Sequence, residues 1–278
     1  MSLTTIAFIG GGNMATSLIG GLVQKGHPAA SILVCDPSEE QREKLRQSVP
    51  QGDDLGLYAD AENANNADVI VLAVKPQILK SVAKDLAPRL KPEAMVISIA
   101  AGISMRSRQE WLGQHAIVRC MPNTPSLIQK GASGLYANEL TSKIQKSMAE
   151  DILGAVGIVE WVDSDEAIDA VTAVSGSGPA YFFYFMELMA QAAADMGLPR
   201  ETAEKLAVQT CLGAGTLASE SSDSLGELRE KVTSKGGTTY AALESFRRDD
   251  LQQTVNNAMK NCAQRAAEMA KEFGGHDK

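Results

Sequence analysis

The stretch TTIAFIGGGNMATSLIGGLVQKG, residues 4–26, decides the fold. Its opening, TTIAFI (4–9), is apolar without alternation from Ile6, the pattern of a short strand buried on both faces in a parallel sheet. Further on the period changes: Met14, Leu18, Leu22 and Val23 share one helical face, and Gly26 stops the helix. Between strand and helix, Gly10, Gly12 and Ala15 form GxGxxA. Gly10 permits a tight turn, Gly12 lets a pyrophosphate approach the backbone, and Ala15 allows close packing of helix on sheet. The helix start adds free amides and the positive end of a dipole. Ile9, Gly10, Gly11, Gly12, Asn13 and Met14 are therefore candidate contacts for a dinucleotide.

Outward from this unit, ILVCD (32–36) reads as a second strand and EEQREKLRQ (39–47) as a charged surface helix. ADVIVLAV (67–74) is the next strand, followed by the helix QILKSVAKDLAPRL. MVISIAAG (95–102), IVRCMPN (117–123) and IVEWV (158–162) continue the series. Strands alternating with helices predict an α/β fold with a Rossmann-type, doubly wound parallel sheet. Ligands of such sheets lie beyond the carboxyl ends of the strands. That rule adds Cys35, Asp36, Ala73, Val74, Lys75, Pro76, Ala100, Ala101, Gly102 and Asn123 as candidate cofactor contacts. Asp36 either binds the adenosine ribose hydroxyls or serves as a turn residue before Pro37. Its charge would repel the extra phosphate of NADP, and the nearest arginine, Arg42, stands several residues into the helix.

After about Asp163 the character changes, and from Glu166 to Gly274 only helical periodicity is found. The expected organisation is a dinucleotide-binding domain over 1–163 and an all-α dimerisation and substrate domain over 164–278. YFFYFMELMAQAAADMG (181–197) is apolar nearly all round, which predicts a fully buried helix. Val255, Met259, Cys262, Ala266, Met269 and Phe273 recur at alternating spacings of four and three, a seam for another helix. These faces need more cover than one small domain offers, so a homodimer at least is expected.

Two glycine-rich segments interrupt the helices. SGSGPAY (175–181) places Ser177 before a proline in the first turn of a helix. VTSKGGTTYAAL (232–243) gathers Ser234, Gly236, Gly237, Thr238 and Thr239 at another helix start. Successive free amides there make a carboxylate receptor; ordinary capping by Ser or Thr is the other reading.

Composition narrows the class. The 278 residues are 44% hydrophobic and 22% charged, enough for a core of ordinary size without disulfides or metals. With 26 Lys and Arg against 34 Asp and Glu, the net charge of -8 argues against nucleic acid and membrane partners. No window has the apolar length of a membrane span, and MSLTTIAFIG shows no basic leader, so a cytoplasmic protein is expected. Four cysteines without a CxxC pair predict buried, reduced thiols and no metal site. Only His27, His115 and His276 are present, which gives histidine acid–base chemistry little support.

At FIGGGNMA (8–15), LAVKPQ (72–77), SIAAGI (98–103), RCMPNTP (119–125), AVSGSGPAY (173–181) and VTSKGGTTYAAL, the chain resembles the pyrroline-5-carboxylate reductases almost end to end. The resemblance implies a Rossmann domain, a helical domain interleaved with a partner subunit, and hydride transfer from NADP(H) or NAD(H) to a cyclic imine, giving proline. It also implies that the loop from Ser234 to Thr239 holds the substrate carboxylate and that Thr239 approaches the ring nitrogen, with Ser177 a further substrate contact. Two positions depart from the family pattern: Lys235 replaces the usual proline, and Asp60, a further cofactor contact near the ribose, stands where many members have asparagine. With Asp36, Asp60 favours use of NADH at least comparably with NADPH. The β-hydroxyacid dehydrogenases share a similar opening, but their helix after the glycine-rich turn carries a lysine and an asparagine. AYFFYFMELMAQAAADMG (180–197) has neither. A non-catalytic dinucleotide-binding protein is the remaining alternative, against which the intact SKGGTT segment stands.

Overall fold

A computed structural model describes residues 4–274; His276 lies outside them. The chain forms two compact units: one runs to Gly176 and resumes at Cys262, and the other is Ser177–Asn261.

The first unit is a three-layer sandwich around one eight-stranded sheet. Strands β1 (Ile6–Ile9), β2 (Ile32–Cys35), β3 (Gly56–Tyr58), β4 (Val69–Leu72), β5 (Met95–Ser98), β6 (Ala116–Met121), β7 (Gly131–Ala137) and β8 (Gly157–Trp161) lie in the order β3-β2-β1-β4-β5-β6-β7-β8. The neighbours from β3 to β6 pair in parallel, the doubly wound arrangement that the sequence predicts. Because side chains alternate across a strand, Ile6 and Phe8 enter the core on one face while Ala7 and Ile9 enter that on the other. The same split divides Val69 and Val71 from Ile70 and Leu72. Burial on both faces is why these strands read as unbroken apolar runs.

Helices α1 (Asn13–Gln24), α2 (Glu39–Ser48) and α5 (Lys143–Leu153) supply Leu18, Leu45 and Ile152 to the first core. Helices α3 (Pro76–Leu86) and α4 (Met105–Leu112) supply Leu79, Leu86 and Trp111 to the second.

The sheet is not parallel throughout. β7 pairs antiparallel with β6, and β8 runs parallel to β7. The short connection 122–130 cannot make a crossover, so the chain folds straight back. Neither β7 nor β3 is apparent in the sequence, since GASGLYA and GLY carry no β-branched residue.

The first unit also extends past Asp163. Helix α6 (Asp165–Val171) and the π-helical turn Thr172–Gly176 belong to it. Arg119 of β6, 3% exposed, forms ion pairs with Asp165 and, at 3.1 Å, with Asp169. Burial lifts the Asp169 carboxyl above its usual range against the opposing pull of Arg119. A boundary at Asp163 would cut these carboxylates from their cation, and the compact unit runs on to Gly176.

The second unit is all-helical: α7 (Gly178–Asp195), α8 (Arg200–Glu220), α9 (Leu225–Lys231), α10 (Thr238–Arg248) and α11 (Leu251–Gly274) as far as Asn261. In the single chain α7 is not buried as expected. Phe182, Phe183 and Tyr184 are each more than 60% exposed, and only Gly178 and Ala190 of the helix are buried. One layer of helices cannot cover an apolar surface that runs all round. The expected seam on α11 is likewise divided. Val255 is 49% exposed, whereas Met269 and Phe273 pack on Gly102 in the first unit. Of the four free cysteines, Cys35 and Cys120 are buried as expected, and Cys211 and Cys262 are only partly so. Among the described residues no helix is long and apolar enough to cross a membrane.

Candidate active site

The glycine loop joins β1 to α1, and its two key glycines are required for different reasons. Gly10 has φ +99°, and a Cβ there would lie 2.8 Å from the carbonyl oxygen of Ala73. Its N–H donates to the carbonyl of Cys35 at 2.8 Å, so the turn is held over the ends of neighbouring strands. Gly12 is the residue before the first turn of α1 and no side chain caps that helix. A Cβ on Gly12 would meet nothing within 4 Å; it would project into open space.

That space is a trough in two parts. A cavity of about 410 Å³ is lined by Ile9, Gly10, Cys35, Asp36 and Asp60. A second of about 400 Å³ is lined by Asn13, Met14, Pro76, Ala100 and Ala101. Gly12, Ala73, Val74 and Lys75 line both. The trough thus straddles the point between β1 and β4 where strand order reverses, the usual ligand crevice of such sheets. A ligand with two bulky halves joined by an anionic bridge fits this shape. The bridge would meet Gly12, the uncapped amides of α1 and the cation of Lys75.

The first cavity is acidic. Asp36 accepts hydrogen bonds from the Gly11 N–H at 2.8 Å and the Ser38 N–H at 2.9 Å. Asp60 accepts one from the Glu62 N–H at 3.0 Å. Both carboxylates therefore hold their own turns, yet each retains further acceptor capacity toward a ribose. Glu39 and Glu40 add negative charge in the first turn of α2. Arg42, several residues into α2, folds back so that its guanidinium donates to the Asp36 carbonyl at 2.6 Å. The Cys35 thiol is pushed up to about 11 by burial and then by the charge of Asp60, so it stays protonated and lines the cavity passively.

Three expected contacts point elsewhere. Gly11 offers its amide to Asp36 and its carbonyl to Gln41. Gly102 is packed beneath Met269. Asn123 uses its side chain to join two segments, accepting from the Ala132 N–H at 2.9 Å and donating to the Ser175 carbonyl at 3.0 Å. Conversely, Ile78 lines the trough without having been expected there, and Met121 and Pro122 line it within a strand-end loop of which only Asn123 was named as a contact. Helical spacing from Lys75 would have found Ile78, and Met121 and Pro122 directly precede Asn123 at the end of β6.

In the second unit, the segment before α10 has Gly236 at φ +73° and Gly237 as the residue preceding the helix. The Gly237 N–H donates to the Ser234 carbonyl at 3.0 Å. No side chain caps α10, whereas serines cap α2, α4, α5, α6 and α9. The capping reading of Ser234, Thr238 and Thr239 is thereby removed, and the first amides of α10 are left without a side-chain acceptor. Thr239 is exposed in the first turn, as is Lys235 in the loop. Ser177 precedes α7 and does not cap it.

A pyrroline-5-carboxylate reductase from Pseudomonas aeruginosa is 51% identical over 275 residues, spanning 99% of this chain and 100% of that protein. This chain belongs to the pyrroline-5-carboxylate reductase family. Residues 165–269 match the family model for pyrroline-5-carboxylate reductase dimerisation, and residues 5–102 that for NADP oxidoreductase, coenzyme F420-dependent. The solved pyrroline-5-carboxylate reductase of Coxiella burnetii is 41% identical with a TM-score of 0.92, covering 97% of this chain and all of that one. That of Plasmodium falciparum, with NADP bound, is 28% identical with a TM-score of 0.82, covering 97% of this chain and 99% of that one. In this pyrroline-5-carboxylate reductase chain the trough above occupies the crevice where ligands of doubly wound sheets are expected. The dimerisation match begins at Asp165, the first of the two carboxylates that hold Arg119.

Proposed function

We propose that the protein reduces Δ1-pyrroline-5-carboxylate to proline with NAD(P)H, the last step of proline biosynthesis. The observation that carries this reading is the pairing of a bipartite trough around Gly12 with a glycine-preceded, uncapped helix start at α10. A bound NAD(P)H supplies the hydride, which adds to the imine carbon of the nitrogen-protonated ring and leaves the amine of proline. The chain's own residues bind and orient. Gly12, the first amides of α1 and Lys75 receive the pyrophosphate; Cys35, Asp36 and Asp60 flank the adenosine half; Pro76, Ala100 and Ala101 flank the other. The amides from Gly236 to Thr239, with Ser234 beside them, receive the substrate carboxylate. The Thr239 hydroxyl holds the ring nitrogen. An iminium is already electrophilic, so orientation contributes more than a strong acid, and the scarcity of histidine is consistent with that. The direct test is consumption of NADH or NADPH on addition of pyrroline-5-carboxylate, with proline as product. Cofactor binding without turnover would favour a non-catalytic dinucleotide-binding protein.

The charge around Asp36 predicts cofactor choice. Asp36, Asp60, Glu39 and Glu40 all disfavour a 2′-phosphate, and Arg42, with Lys75 of the cavity wall, opposes them. NADH is therefore expected to work with kcat/KM at least comparable to that for NADPH. A preference for NADPH beyond about a hundredfold, near 2.7 kcal/mol, would mean that the two cations outweigh the carboxylates.

We further propose a cytoplasmic homodimer, or a larger assembly of dimers, joined through the helical unit. The exposed aromatic face of α7 supports it, since obligate interfaces resemble a core cut in half. Analytical ultracentrifugation should show no species smaller than a dimer at micromolar concentration. A stable, active monomer there would exclude this assembly.

A further inference from the structure

Among the described residues Arg108 is the largest fully buried side chain, at 1% exposure, on a helix whose other arginine, Arg106, is at the surface. Burying a guanidinium costs several kcal/mol unless its donors are satisfied, and arginine is rarely enclosed without a partner anion. Arg108 turns both terminal nitrogens of its guanidinium to backbone carbonyls. Its Nη2 donates to the Ala100 carbonyl at 2.8 Å and its Nη1 to the Ile103 carbonyl. Burial and the neighbouring charge of Arg119 push the guanidinium down to about 9, with Asp165 opposing. The planar fork thus grips both ends of one short loop, Ala100–Ile103, from inside the fold.

That loop forms a wall of the second cavity through Ala100 and Ala101. Its opposite side is fixed too: Gly102 has φ +63°, and a Cβ there would lie 2.8 Å from the Cβ of Met269. Past the loop, the Met105 N–H is held by both carboxylate oxygens of Asp165, at 2.9 and 3.0 Å, and Asp165 is itself paired with Arg119. Stability alone does not call for a cation here, since an apolar side chain of similar volume often serves a buried site as well or better. The fork does something a methionine cannot: it draws two carbonyls inward and so sets the peptide planes that face the trough.

We infer that Arg108 is a positioning residue for the reduction, holding the Ala100–Ile103 loop in the form that receives the cofactor. This rests on the proposed function. Arg108→Lys keeps the charge and loses the fork; Arg108→Met keeps the length and loses both. In each, titration of the folded protein is expected to show the Kd for NADH and NADPH raised at least fivefold. The KM for pyrroline-5-carboxylate at saturating cofactor should stay within twofold of the parent value. Ile117→Val, in the same core on β6, serves as a control destabilised without touching the loop, and its cofactor Kd should not change. If Arg108→Met fails to fold, Arg108→Lys alone decides. A rise of less than fivefold in folded Arg108→Lys overturns the inference, as does an equal rise in Ile117→Val at the same melting temperature. Failure of the parent protein to bind NADH or NADPH sinks the functional reading itself, a result the variants cannot produce.

Discussion

Gly12→Val is expected to yield a folded protein whose Kd for NADH and NADPH is raised by well over tenfold, at least about 1.4 kcal/mol. The Cβ at this position meets no protein atom, so the substitution should cost the fold little. The branched side chain instead occupies the place where both cavities meet, beside the uncapped start of α1. The same experiment at Gly10 would not be informative. There a Cβ would lie 2.8 Å from the Ala73 oxygen at positive φ, and any loss of binding would be confounded with loss of structure. Circular dichroism and fluorescence titration together check the prediction. A folded Gly12→Val protein that titrates like its parent would mean the pyrophosphate does not pass this residue.

Thr239→Val should act on turnover without acting on the cofactor. The two side chains are nearly isosteric, and Thr239 is exposed in the first turn of α10, so the fold should be retained. Loss of one hydrogen bond to the ring nitrogen, worth about 1–3 kcal/mol, predicts a fall of roughly five- to 150-fold in kcat/KM. The Kd for NAD(P)H should barely move, because the residues proposed to bind it belong to the other unit. Full activity in Thr239→Val, or an equal loss of cofactor affinity, would assign the carboxylate to another place.

The parts of this molecule that were legible in its sequence are those where one local rule acts alone. Ile6–Ile9 is buried on both faces and must be apolar throughout; Gly10 and Gly12 answer to a backbone turn and an open cavity. Three kinds of feature were not legible. β7 is a strand because a short connection and a neighbour of matching register make it one, not because GASGLYA favours extension. Arg42 reaches Asp36 by folding back along its own helix, which spacing alone does not reveal. Asn123 lies where a ligand contact was expected, yet its amide is taken up by Ala132 and Ser175, partners far away in sequence or on another element. The all-round apolar pattern of α7 predicts a buried helix, and in the single chain it is largely exposed.

The ion pairs of Arg119 with Asp165 and Asp169 bear on how such a chain can be cut and recombined. A crossover after Asp163 looks natural, because there the strands give way to helices. It would leave the first half with a buried guanidinium and neither carboxylate, a loss of about 3–5 kcal/mol set against a typical total of about 5–15. A crossover after Gly176 keeps all three charges together. It discards the segment from Cys262 onward, however, and with it Met269 and Phe273, which pack on Gly102. Neither single joint releases a self-sufficient half. In gene fusion as in inheritance, the nucleotide-binding part of this chain is expected to travel with its helices rather than as an exchangeable module.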